Sequence, residues 1–157
     1  MSSQMATMMT RFSAPGVVEW IGVRPERLGK MEILERVDIV ASGLSGDYRA
    51  NPGKRAVSLI QYEHIAVIAA LADRSGLSPD LLRRNLVVRG INLLALRKAV
   101  FRVGEVVLQG TGLCAPCSKM ETALGEGGFT AMRGHGGITA SVLEEGPVAI
   151  GDQVIPG

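Results

Sequence analysis

Glycine cuts this chain into short pieces, and that punctuation limits the folds open to it. Among 157 residues there are 20 glycines. The runs between them are mostly apolar or alternating, the pattern of β-strands. Residues 17–23 read as a first strand, followed by the turn Arg24-Pro25-Glu26-Arg27. Residues 31–41 read as one longer strand, 43–47 as a glycine-punctuated loop and 55–61 as a further strand. Helical spacing comes next: Tyr62, Ile65, Ala69 and Ala72 share one stripe, Ile68 widens it, and Gly76 is the expected C-cap. Ser78 and Pro79 open a one-turn helix, with serine as N-cap and proline at the first position. Strand patterns return at 85–89, 101–103, 106–109, 138–142, 148–150 and 154–155. The segment 125–137 reads as a flexible glycine-rich stretch. Many short strands with one substantial helix predict a mainly β fold: a closed or nearly closed β-barrel with a few peripheral helices. Neither repeat nor linker interrupts the pattern. Residues 16–157 are therefore expected to form one barrel domain, and residues 1–15 a flexible N-terminal tail.

Composition removes several classes of function. The chain is 46% apolar but only 4% aromatic, so its core draws on Val, Leu, Ile and Ala. Net charge is +2, and no basic run is interleaved with aromatics, which argues against nucleic acid as a partner. No apolar stretch approaches a membrane span. The opening segment has methionines and hydroxyl residues without a long apolar block, so it does not read as a secretory signal. Two cysteines close together without a leader point to a reducing, cytoplasmic setting and a functional pair.

Both cysteines lie in Gly112-Leu113-Cys114-Ala115-Pro116-Cys117-Ser118-Lys119-Met120-Glu121. Residues 118–124 read as a short helix, which puts Cys117 at its mouth. There, unpaired N–H groups and the helix dipole favour the thiolate, a nucleophile and a ligand for soft metals. Three other readings of the spacing stand beside this one. A thioredoxin-like redox pair belongs near a chain start among alternating helices. Half a zinc site would need His64 and His135, or carboxylates, to complete it. Two buried small residues would have no chemistry at all.

A second constellation is basic. It comprises Arg83-Arg84-Asn85, the pair Lys54-Arg55, the cluster Arg24, Arg27 and Lys30, and Arg133 in a run of glycines with His135. Arginine forks and a side-chain amide suit phosphate and heteroaromatic edges, and glycines let backbone N–H groups approach an anion. With the thiolate they describe a pocket for a phosphate-bearing cofactor that presents a soft metal. Asp47 and Asp152 each follow a glycine at a turn. They are expected to bond backbone N–H groups one or two residues on, as structural groups.

In order along the chain come Gly43-Leu44-x-Gly46-Asp47, Lys54-Arg55-Ala56-Val57-Ser58-Leu59 and Arg83-Arg84-Asn85-Leu86-Val87-Val88-x-Gly90-Ile91. These are followed by Phe101-x-Val103-Gly104, Cys114-x-Pro116-Cys117-x-x-Met120-Glu121, Arg133-Gly134 and Gly151-Asp152. This series resembles the MOSC domain, the module named after the C-terminal part of molybdenum cofactor sulfurases, over residues 17–155. The Arg-Arg-Asn-Leu run and the Pro-Cys step are its most specific parts.

The resemblance implies a β-barrel-like domain and a molybdenum cofactor of the molybdopterin type. The family's marked cysteine maps to Cys117, which would ligate molybdenum. Arg83, Arg84 and Asn85 would hold the pterin or its phosphate, with Lys54, Arg55 and Arg133 as further candidate contacts. Stand-alone members are similar to reductases of N-hydroxylated bases and amidoximes fed by a separate electron-transfer protein. The alternative is a non-enzymatic carrier, of sulfur as a Cys117 persulfide or of the cofactor in transit, working with a sulfurase partner. The pyridoxal-phosphate domain of the sulfurases has no counterpart here, so that cofactor is not expected on this chain alone.

Overall fold

The computed structural model describes residues 3–48 and 52–157. In chain order the elements are α1 (Ser3–Met9), β1 (Gly16–Val23), β2 (Glu32–Leu34), β3 (Arg36–Val40), β4 (Gly43–Leu44), β5 (Val57–Gln61) and α2 (Tyr62–Leu71). A 3-10 turn at Pro79–Leu82 leads into β6 (Leu86–Arg89), and a second at Leu93–Leu96 leads into β7 (Val100–Val103). Then follow β8 (Val106–Leu113), α3 (Ser118–Leu124), α4 (Gly128–Met132), β9 (Ile138–Glu144), β10 (Gly146–Ala149) and β11 (Gln153–Pro156).

Seven strands run in the order β11-β7-β8-β9-β5-β6-β1. The pairings Gly16 with Val154 and Val17 with Gln153 close this sheet into a barrel, as the alternating, glycine-punctuated sequence predicts. Closure removes exposed strand edges from the ring. β2 extends the sheet beyond β1, and β10-β3-β4 form a small second sheet. Within the barrel only β5 and β6 pair in parallel, with α2 and the first 3-10 turn as their crossover.

Two apolar clusters lie on opposite sides of the barrel wall. Val57 and Leu59 of β5, Leu86 and Val88 of β6, and Ile138 and Ala140 of β9 point inward, where Phe101 and Leu108 fill the barrel. Ile60 and Val87 point outward and pack with Ile65 and Ile68 of α2, Met120 and Leu124 of α3, and Met132 of α4. β5 and β6 are thus covered on both faces, which accounts for their nearly unbroken apolar sequence. A register shift between Val18 and Trp20 lets both Val18 and Ile21 reach the core.

Four local expectations are corrected. Residues 31–41 are not one strand. The chain bends at Glu35, whose carbonyl accepts the Ile150 N–H at 2.9 Å, and β3 joins the second sheet. Gly76 does not cap α2: the helix ends at Leu71 with Ala72 as its C-cap, and Asp73 takes the left-handed conformation with φ of 56°. The stretch 125–137 contains α4, which packs on α3 and α2. β8 continues through Gly110 and Gly112 to Leu113. Residues 1–15 include α1, which buries none of its residues. None of the described helices is long and apolar enough to cross a membrane.

Candidate functional site

Cys117 is the N-cap of α3. Its backbone is extended, with φ of −125°, and its carbonyl accepts the Met120 N–H at 2.9 Å. Its side chain is exposed, whereas Cys114 is buried. Both line a cavity of about 140 Å³ on the outer face of the barrel wall, where Ser58 of β5 and Thr139 of β9 point away from the core. That volume is well below the ~300–1,000 Å³ of pockets that enclose whole ligands, so the cavity takes one end of a ligand.

Cations surround this cavity. Among the described residues, Arg24, Arg55, Arg83, Arg84 and Lys119 all line it, and no carboxylate does. Their donors are committed differently. Arg84 is 7% exposed and directs its guanidinium into the protein backbone. Its Nε donates to Gly136 O at 2.9 Å and Nη1 to Leu82 O at 3.1 Å, with longer contacts from Nη2 to Ala115 O at 3.4 Å and Cys114 O at 3.5 Å. Burial holds the Arg84 guanidinium below its ordinary pKa, and the adjacent Cys114 and Cys117 oppose that shift. Arg84 therefore ties the cysteine loop to the glycines before β9. A Cβ on Gly136 would lie 2.2 Å from Cys114 O, so only glycine allows this approach. Cys114 N–H completes the junction by donating to Gly137 O at 2.8 Å.

Arg83 is also a backbone clamp. It adopts φ of 58° at the end of the first 3-10 turn. Nη1 donates to Gly29 O at 2.6 Å and Nη2 to Arg27 O at 3.0 Å, which fastens the loop after β1. Arg24 forks onto Asp47, with Nε to Oδ1 at 3.1 Å and Nη2 to Oδ2 at 2.9 Å, and its guanidinium lies 5.0 Å from the Tyr48 ring centroid. Burial alone would pull the Arg24 pKa down, but the bond to Asp47 and its charge outweigh burial and raise it. Arg55 and Lys119 have neither an ion pair nor a side-chain hydrogen bond among the described residues. They are the cations free to meet an anion.

The structure thus brings Cys117, Arg55, Arg83 and Arg84 to one cavity and leaves three candidates outside it. Asn85 is 0% exposed and bonds Ser58 and Gly22, so it braces the wall behind the cavity. Lys54 and Arg133 are exposed and do not line the cavity. Gly136 and Gly137 serve chain packing, since a Cβ on Gly137 would lie 1.9 Å from Leu59 O. Tyr48, Ser58, Lys119 and Thr139 also line the cavity, beside Ala115 and Met120, and sequence reasoning did not select these four. The signal existed for one of them: Ser58 is the lone hydroxyl residue on the outward phase of the apolar strand β5.

Asp47 accepts the Arg24 N–H at 2.8 Å and the Arg24 fork, rather than an N–H just downstream. Asp152 accepts the Ala149 N–H at 2.9 Å, three residues upstream. His64 and His135 meet edge to face, with ring centroids 5.3 Å apart, and neither lines the cavity. Among the described residues no three His, Cys, Asp or Glu side chains converge as a metal site. The donor set is therefore one exposed thiol in a field of cations. It fits a soft metal that brings its other ligands on an anionic cofactor, and it does not fit a closed zinc site.

Comparison with known proteins supports the same grouping. No functionally curated protein sequence matches this chain. Among solved structures, the YuaD protein from Bacillus subtilis is similar with a TM-score of 0.79 at 18% identity, over 92% of this chain and 97% of that one. YiiM from Escherichia coli gives 0.73 at 19% identity over 92% and 70%. YiiM from Geobacillus stearothermophilus gives 0.73 at 16% identity over 91% and 75%. These likenesses establish a shared fold. The sequence model of the MOSC domain matches residues 38–155, well over half the chain, and on that ground the chain belongs to the MOSC domain family.

Proposed function

We propose that this protein binds the molybdenum cofactor through the Cys117 thiolate and reduces N-hydroxylated or N-oxygenated small molecules. One observation carries the reading: an exposed thiol opens onto a cavity whose described lining holds five cations and no carboxylate. The family's general association with that cofactor supports it. When bound, the cofactor supplies a metal that exchanges two electrons and offers an open coordination position. The chain's own residues do the rest. Cys117 provides the soft ligand, and Arg84 holds the loop that presents it. Arg55 and Lys119 grip the anionic group of the cofactor. Arg24, fixed by Asp47 and stacked near Tyr48, forms a rigid wall. Reduction of a hydroxylamine to an amine takes up two electrons and two protons and releases water. Among the described lining residues, with Cys117 bound as thiolate, Tyr48, Lys119 and Cys114 carry the protons that such a step could use, because neither carboxylate nor histidine faces the cavity. Electrons would come from a separate electron-transfer protein.

The test is turnover by cofactor-loaded protein with a reduced viologen dye as electron donor and an aromatic hydroxylamine as substrate, read as amine formed. Amine production that stops in Cys117→Ser supports the proposal. A fully loaded protein that forms no amine contradicts it, and labile sulfide without metal assigns the thiol to sulfur carriage.

A further inference from the structure

The cavity has a floor whose hydrogen-bond polarity follows from the bonds behind it. Ser58 and Thr139 are register partners across the antiparallel pair β5–β9, and both hydroxyls face the cavity while remaining almost wholly buried. A hydroxyl has one proton and two lone pairs. Thr111 Oγ1 contacts the Lys54 carbonyl oxygen, which can only accept, so Thr111 is the donor. Its single proton is then used. The 2.8 Å contact between Thr111 Oγ1 and Thr139 Oγ1 must therefore be donated by Thr139. Ser58 Oγ donates to Asn85 Oδ1 at 3.2 Å and accepts the Asn85 N–H at 3.0 Å. Asn85 cannot reverse its amide without losing two bonds, because Oδ1 also accepts the Ser58 N–H and Nδ2 donates to Gly22 O, each at 3.2 Å. Both hydroxyl protons thus point away from the cavity, and lone pairs point into it.

We propose that Ser58 and Thr139 form an acceptor-only floor that selects ligands by their donors. The end of the ligand that enters carries N–H or O–H groups side by side, while its anionic group meets Arg55 and Lys119. The fitting class is a small heterocycle or N-hydroxy compound with adjacent donors and an attached phosphate. Such an end can belong to the ring of the cofactor or to the substrate. The inference rests on the cavity being the ligand site of the proposed function.

Titration calorimetry on cofactor-free protein tests it with two probes. Guanosine 5′-monophosphate presents adjacent amide and amino donors beside a phosphate. Purine riboside 5′-monophosphate has the same sugar and phosphate without those donors. Guanosine monophosphate is expected to bind about tenfold tighter, the scale of one satisfied donor. Ser58→Ala combined with Thr139→Val should erase that preference and leave the phosphate contribution. Thr111→Val frees the Thr139 proton to turn inward and should raise affinity for purine riboside monophosphate. Equal binding of the two probes, no binding of either, or a preference that survives the double variant would overturn the proposal. On molybdenum-loaded protein, a retained preference assigns the floor to the substrate, and lost binding assigns it to the cofactor. A protein that takes up no molybdenum yet shows the preference keeps the floor while the cofactor reading fails.

Discussion

Replacing Arg84 with methionine removes the clamp that joins the cysteine loop to the glycines before β9. Methionine approximates the stem of arginine, so the loss is mainly polar. Two of the guanidinium contacts, at 2.9 and 3.1 Å, are good hydrogen bonds from a charged donor, worth about 1.5–3 kcal/mol each. The two contacts at 3.4 and 3.5 Å add little. Against these stands the cost of burying a cation without a carboxylate partner, which removal relieves. The balance is a loss of about 3 kcal/mol. For a chain of this size that lowers Tm by about 6–12 °C. Urea denaturation monitored by circular dichroism measures it, with Arg84→Lys as the partner variant. Lysine keeps the charge but cannot span Gly136 and Leu82 together, so it should recover less than half of the loss. Molybdenum retention should fall in step with stability, because the loop presents Cys117. A methionine variant within about 0.5 kcal/mol of wild type would refute the clamp.

Three further perturbations probe the frame around the site. Gly136→Ala should lower both Tm and metal content, since its Cβ would lie 2.2 Å from Cys114 O; unchanged values in a calorimetric melt and metal assay would show that the loop yields freely. Asp47→Asn breaks the fork to Arg24, whose acceptor side chain is fully buried, and should cost about 3 kcal/mol in denaturant unfolding, whereas a merely local turn residue would cost far less. Glu121 accepts the N–H groups of Phe129 and Gly127, each at 3.0 Å, which hold its carboxyl below the usual glutamate range. A folded pKa below the unfolded one means that the stabilisation is complete above about pH 4.3 and is lost as pH falls through the folded value. Glu121→Gln should therefore flatten the acid limb of Tm against pH, and an unaltered limb would deny the carboxylate its role at the start of α4.

The barrel was legible because alternation and glycine turns are local signals of strands, and β1, β5, α2 and α3 lie close to where those signals put them. The change of sheet at Glu35 was not legible, since Val37 and Ile39 continue the alternation that Ile33 begins while belonging to a different sheet. α4 was hidden for a related reason: Gly125, Gly127 and Gly128 read as a loop, but tertiary packing on α3 overrides weak helical propensity. At the site, Cys117 and the arginine pair could be found from residue type and spacing. Their division of labour could not. Whether Arg84 meets a ligand or a carbonyl depends on which backbone oxygens surround it, and Gly136, Leu82 and Cys114 come together only through the fold. The bonds of Asn85 to Ser58 and Gly22 were equally invisible in the sequence, because they join strands distant along the chain. Arg55 and Lys119 are distinguished by lacking partners among the described residues, which spacing does not reveal.

On the proposed function, the Cys117 sulfur is the one protein ligand of a molybdenum cofactor in this cavity. Molybdenum per chain, measured by inductively coupled plasma mass spectrometry after co-expression with cofactor biosynthesis, tests it most directly. Wild-type protein should carry close to one molybdenum. Cys117→Ser should carry almost none while keeping its circular dichroism and Tm, because a hydroxyl is a harder and far less acidic ligand than a thiol, and Cys114→Ser should retain most of the metal. Full molybdenum loading of a folded Cys117→Ser protein would contradict the assignment.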